Sequence, residues 1–255
     1  MPAMNRLEIY RDLLRERDIP EHAADRILRL ARPRIELRPA GYGEGPVVGR
    51  YGGHPSLPKD FEPPVSDFIA SVDCATLPPG ALEIPLPQDG QLLFFGNMSD
   101  WQWDDEDRGG SVVYIPAGTT TAERTTPEDD GQNVAKPFPL HGYVDWNMPG
   151  GASFDVFAAD AEGANLFDEY EMVTLGVDDS GPGELTLGGY ACPAWDDPCL
   201  RRWPDDDDEA WLLLAQSTYG FADTPLHGTG FWMIRRQDLA QKNFENVKYV
   251  MDVYN

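Results

Sequence analysis

Two apolar patterns divide the chain. Between residues 5 and 31, Leu7, Tyr10, Leu13 and Leu14, then Ile27, Leu28 and Leu30, recur at the spacing that lines one face of a helix. Two helices are predicted, with Pro20 in the first turn of the second, Asp18 as its N-cap and Pro33 as its stop. From Ile35 onward the apolar residues come in short runs bounded by Pro, Gly and Asp, as buried strands do. Ile35 and Leu37 open this series and Val47 and Val48 follow, with further runs at 68–72, 91–96, 111–115, 213–217, 231–234 and 247–253. Proline-rich connectors at 56–64 and 77–87 and a polar loop at 119–137 separate them. A hairpin is expected across 138–160, a short helix at 165–173 and a helical turn at 237–243.

The strand runs come in two sets. Gly52-Gly53-His54, Phe68-Ile69-Ala70-Ser71-Val72 and Asp89-Gly90-Gln91 through Phe95 are matched by Gly188-Gly189-Tyr190, Leu213-Leu214-Ala215-Gln216-Ser217 and His227-Gly228 through Met233. The offsets are 136 residues at the glycine pair (52 to 188), 145 at the apolar run (69 to 214) and 138 at the last strand (90 to 228). Such regularity predicts an internal duplication, because one such unit leaves unpaired edges and an uncovered apolar face that a second copy can cover. The expected architecture is α+β. A helical pair at 1–38 precedes a mainly antiparallel β body at 39–255, built from related halves at about 48–135 and 175–255.

Charge narrows the partners. The chain has 255 residues, with 44 acidic against 20 basic and a net charge of −24. Residues 1–38 hold nine arginines and seven acids, a local balance of +2, so the remainder carries −26. A surface that negative repels nucleic acid and acidic membranes and attracts basic proteins. No apolar run reaches the length that spans a bilayer, and the three cysteines form no even disulfide framework, so a cytoplasmic address is expected. The acidic runs Asp104, Asp105, Glu106, Asp107 and Asp205, Asp206, Asp207, Asp208 lack the alternating spacing of a calcium loop; they read as exposed acidic surface that a basic partner would meet.

Catalytic signatures are weak. His54, His141 and His227 lie in turns or beside a glycine with no metal-ligand spacing, so no metal or cofactor is expected. Cys192 and Cys199 sit among aspartates, which disfavour a thiolate, and neither Ser153 nor Ser217 stands in a nucleophile elbow. If the two halves enclose a cleft, His54, Arg108, Tyr190 and Gln216 are the residues to line it.

The Gly-Gly-His-Pro turn at 52–55, the Phe-Ile-Ala-Ser-Val run, the Leu-Pro-Gln-Asp-Gly-Gln-Leu-Leu-Phe-Phe strand, Asp107-Arg108-Gly109-Gly110, Leu187-Gly188-Gly189-Tyr190 and the closing Gly-Phe-Trp-Met-Ile resemble, in that order, the YwqG-like bacterial family. The resemblance spans about residues 48–254. It departs after Tyr190, where Ala191-Cys192-Pro193 replaces the usual proline and glutamine-acid pair, and at Ser71, where a glutamine is usual. The resemblance implies an α+β fold and carries no catalytic residues. Because such proteins can sit beside secreted toxins, it also implies an immunity role as one option. The expectation is therefore a non-catalytic acidic module that docks a basic protein, with a ligand-binding or enzymatic cleft between the halves as the alternative.

Overall fold

The computed structural model describes residues 6–41, 45–96, 109–125, 135–150, 184–201, 210–220 and 227–254. Helices α1 (Arg6–Glu16) and α2 (Glu21–Leu28) form where the helical spacing puts them. Tyr10 and Leu14 of α1 and Ile27 of α2 are buried with Ala31 and Met148, and Leu7, Leu13, Leu28 and Trp146 pack around them. Asp18 does not cap α2: it takes a φ of 54° in the connecting turn, and Pro20 occupies the N-cap. Nor does Pro33 stop the helix. It lies inside strand β1 (Arg32–Arg38), so the sheet includes residues grouped by sequence with the helical segment.

The remaining strands, in chain order, are β2 (Val47–Tyr51), β3 (Ser56–Leu57), β4 (Asp67–Asp73), β5 (Gln91–Gly96), β6 (Ser111–Ile115), β7 (Ala122–Glu123), β8 (Phe138–Asn147), β9 (Leu185–Gly188), β10 (Trp211–Gly220), β11 (His227–Arg235) and β12 (Lys248–Tyr254). A short helix, α3 (Arg236–Ala240), joins the last two. The fold is α+β. Among the described residues one antiparallel sheet has the order β12-β11-β10-β9-β1-β8-β2-β4-β5-β6, and β3 pairs separately with β7. Residues 138–147 form one ten-residue strand at the centre of the sheet. The second arm of the expected hairpin and the helix expected at 165–173 lie outside the described residues.

Strand burial explains the apolar runs. β5 is covered on both faces: Leu92 and Phe94 enter the main core, while Leu93 and Phe95 join a second cluster with Leu57, Phe68 and Ile115. A strand buried on two sides reads as a continuous apolar run, here Leu-Leu-Phe-Phe. In β4 the register against β5 shifts between Phe68 and Ala70, and in β10 the register against β11 shifts between Leu213 and Ala215. Each bulge turns two consecutive residues inward, Ile69 with Ala70 and Leu214 with Ala215. Phe68 and Leu213 go to other clusters. Consecutive apolar residues at these points are therefore required by the fold.

The other strands of this sheet fall four to each side of a central β1–β8 pair. β2, β4, β5 and β6 follow one another outward on one side of the β1–β8 pair, and β9, β10, β11 and β12 do so on the other. The glycine pairs adopt matching left-handed conformations, φ 64° and 73° at Gly52 and Gly53 and 65° and 73° at Gly188 and Gly189. The neighbours of the central pair cross over: β2, which follows β1, pairs with β8, and β9, the next described strand after β8, pairs with β1.

The sheet curls until its outer strands meet. The Trp232 indole N–H donates to the Phe95 carbonyl at 2.9 Å, and the Trp232 ring lies edge-on to Phe94 and tilted against Tyr249. Gly96, Gly110 and Gly230 all abut Tyr249, where any Cβ would collide with the ring. On the surface of this seam, Lys242 donates to Asp89 at 3.2 Å and to the Tyr114 hydroxyl at 2.9 Å.

Trp232→Phe keeps the ring packing but leaves the Phe95 carbonyl without its indole donor, and should lower unfolding free energy by about 1 to 3 kcal/mol, read from urea denaturation. Burial, with the charge of Glu184 adding to it, pushes the Tyr51 phenol up to about 12. Its contribution is complete below pH 10, the ordinary tyrosine value, and is lost as pH rises from about 10 to 12. Phenolate absorbance should show a late-titrating tyrosine that disappears in Tyr51→Phe.

Candidate functional site

The chemistry-bearing residues of the second half gather where β9 ends. Past Gly188 the chain turns back on itself and is held there by two carboxamides. Asn147, the last residue of β8, donates to the Tyr190 carbonyl at 2.9 Å and accepts from the Tyr190 amide at 3.0 Å. Gln216 on β10 accepts from the Cys192 amide at 2.9 Å and donates to the same Tyr190 carbonyl at 3.3 Å. A Cβ on Gly189 would stand 2.6 Å from Asn147 Oδ1 and 3.0 Å from Arg34 Cβ, so glycine is required there by crowding as well as by its φ. The Tyr190 hydroxyl donates to the Leu30 carbonyl at 2.7 Å, and the Arg32 guanidinium covers its ring at 4.2 Å.

Beside this turn a crevice of about 140 Å³ opens between the starts of β1 and β10, lined by Arg32, Leu82, Ile84, Tyr190, Trp211 and Arg236 among others. A larger groove of about 410 Å³ runs along the proline-rich connector, against Ile35 and Cys74. Neither holds an activated nucleophile. Burial, reinforced by Asp73 and Asp89, pushes the Cys74 thiol up to about 12, and burial with Asp197 raises Cys199 well above the ordinary range. Both thiols therefore stay protonated near neutral pH.

A second polar constellation lies on β1. Arg34, Glu36 and Arg38 alternate with Ile35 and Leu37, which enter the core. Arg34 is fully buried, its Nη2 paired with Glu36 and 3.7 Å from Asp145 Oδ2. Arg38 Nε reaches Glu36 at 2.8 Å, and Arg6 of α1 reaches Asp145 at 2.8 Å. Burial pushes the Asp145 carboxyl up, opposed by Arg6. Three guanidinium groups, of Arg6, Arg34 and Arg38, share the two carboxylates of Glu36 and Asp145. The cluster ties α1 to the sheet.

Tyr190 and Gln216 are thus in contact, through backbone and carboxamide. His54 is not with them: it follows β2, which β1 and β8 separate from β9, and the antiparallel order sends the two glycine turns to opposite ends of the sheet. Its carbonyl accepts from Arg50, whose Nη1 pairs with Glu123 at 2.7 Å. His141 bonds the Gly45 carbonyl through Nδ1 at 2.7 Å. Arg108, Asp104, Asp105, Glu106, Asp107, Asp205, Asp206, Asp207 and Asp208 lie outside the described residues. Among the described residues no three His, Cys, Asp or Glu side chains cluster as metal ligands would, and no helix is long and apolar enough to cross a membrane.

A family model described as a domain of unknown function, DUF1963, matches residues 49–253. The chain belongs to the DUF1963 family. No curated protein matches it. The matched span begins within β2, yet β1 lies ahead of it and is hydrogen-bonded between β8 and β9 in the middle of the sheet. The DUF1963 sheet of this protein therefore includes residues before position 49. Sequence reasoning missed Asn147 and the Arg34–Glu36–Asp145 cluster. The period-two alternation of Arg34, Glu36 and Arg38 was visible; nothing in the sequence marked Asn147.

Asn147→Ala strips the Tyr190 amide and carbonyl of their shared partner inside the DUF1963 core and should cost about 1 to 3 kcal/mol, measured by urea denaturation. Asn147→Asp, which keeps the acceptor but loses the donor, should also destabilise the fold.

Proposed function

We propose that this DUF1963 protein is a non-catalytic binding module that docks a basic protein partner through its acidic surface, as an immunity-type inhibitor would. One observation carries the reading: many of the described cations are engaged within the molecule. Arg6, Arg15, Arg32, Arg34, Arg38, Arg50 and Lys242 each stand against a carboxylate. Arg124 is turned onto the carbonyls of Pro58, Lys59 and Phe61, and Arg235 covers the Trp211 ring. With 44 acids to 20 bases, the excess of carboxylates sets up a field that draws in a positively charged protein and repels a nucleic acid. The resemblance to YwqG-like proteins and the origin of the matching halves by duplication belong to the same proposal; paired bulges and paired glycine conformations support the duplication.

Small-ligand binding is the second reading, and the crevice beside Tyr190 favours it. Its lining is electrically balanced, with Arg32 and Arg236 against Glu83 and Asp197. The Tyr190 hydroxyl and Arg236 Nη1 are already bonded to the carbonyls of Leu30 and Glu83. This makes it the weaker reading.

Immobilised protein passed over extract of its source organism should retain a basic protein, released by raising salt and lost when Asp205, Asp206, Asp207 and Asp208 are changed together to Asn. A stoichiometric small molecule in native mass spectra, with no salt-sensitive protein retained, would overturn the binding-module reading in favour of the crevice.

A further inference from the structure

Trp195 is 68% exposed, the most exposed of the large apolar side chains among the described residues. Its loop is firmly held. Pro193 and Pro198 flank it, the Asp252 carboxylate on β12 accepts the amide of Ala194 at 3.1 Å, and Asp197 accepts the Cys199 amide at 2.9 Å to cap the next turn. At the base of the loop, Gln216 fixes Cys192. Ala191 and Cys199 pack on Leu213 and Phe231, so the loop lies across β10 and β11 and reaches the edge strand β12.

An indole displayed on a backbone held at both ends has lost its conformational freedom before binding, which removes part of the entropic cost of an interface. Trp is also among the residues that dominate interface energies, because its large ring buries much area. Asp196, the next residue in the chain, is exposed, and its charge acts on Asp252, whose carboxylate holds the loop backbone. An aromatic face beside carboxylates suits one cation above others: a guanidinium can stack flat on the ring while its edge donates to a carboxylate, whereas an ammonium is a strongly hydrated point charge. The molecule uses the stacking half of this arrangement internally, with Arg32 over Tyr190 and Arg235 over Trp211.

We propose that Trp195, with Asp196 and the Asp252-held loop, is the anchor of the docking surface, and that it takes an arginine of a basic protein partner. This rests on the binding-module reading and adds to it a location and a preference for arginine over lysine.

Acetylated dodecapeptides of arginine and of lysine, equal in charge, test it by calorimetry at low and at physiological salt against wild type, Trp195→Ala, Trp195→Phe and Asp196→Asn. The arginine peptide should bind more tightly than the lysine peptide. Trp195→Ala should weaken the arginine peptide by about tenfold and erase the difference, Trp195→Phe should retain most of it, and Asp196→Asn should reduce the salt dependence. Because the ring is exposed, the urea midpoint of Trp195→Ala should match wild type, which separates lost binding from lost folding. Equal, salt-sensitive binding of both peptides, unchanged by Trp195→Ala, would sink the Trp195 surface and leave the acidic-module reading standing. Failure of both peptides to bind at low salt would sink both.

Discussion

The fold depends on an exchange of strands at its centre. β1 and β8 pair along seven residues, and each takes as its other neighbour the described strand that follows its partner, β9 beside β1 and β2 beside β8. Pulling β1 and β2 away from β8 and β9 would break three ladders and leave the backbone groups of both central strands without partners, which is costly wherever they stay buried. The outer strands can therefore curl toward one another around a shared core, and Trp232 and Tyr249 close the seam. The close-packed glycines at this seam, Gly96, Gly110 and Gly230, follow from that closure.

The same exchange explains why the polar residues of the second half serve structure. β9 is only four residues long and pairs with β10 at two positions, so the chain leaves the sheet early and needs another support. Asn147 and Gln216 supply it as side-chain stand-ins for a ladder, using carboxamides that offer one donor and one acceptor group. The loop they hold carries Trp195 to the edge strand. A polar network inside the protein thus becomes the support for an apolar group outside it. Asn147 lies at the root of that chain of support, since the Tyr190 turn on which the loop begins has both backbone groups bonded to it.

The N-terminal helices belong to the body in energetic terms. Their apolar faces close over Trp146 and Met148 next to the end of β8, and Arg6 brings a charge into a group that contains the fully buried Arg34. A buried ion cluster of this kind is weak evidence for net stability, since desolvation offsets attraction, but removal of one member leaves an uncompensated charge. That asymmetry makes α1 hard to displace.

How much of this could be read from the sequence follows from range. Helical spacing located α1 and α2, and bounded apolar runs located β4, β5, β6, β11 and β12, because these signals arise within a few residues. The sequence also shows two sets of similar runs, and Ile69 and Leu214, paired in that comparison, each lie at a register shift. Other features were settled by residues distant in the chain. Residues 138–147 form a single central strand because β1 and β2 flank them, and no local pattern encodes those partners. Arg34 looks like a surface residue until α1 and Asp145 enclose it. His54 and Tyr190 occupy matching turns in sequence, yet antiparallel pairing through β1 and β8 sends those turns to opposite ends of the sheet. The sequence by itself determined where the two N-terminal helices and several of the longer strands lie, and the net charge of −24, both carried by composition and short-range spacing. Only the tertiary structure decided the strand exchange, the burial of the charges and the display of Trp195, because each depends on which distant strand lies alongside.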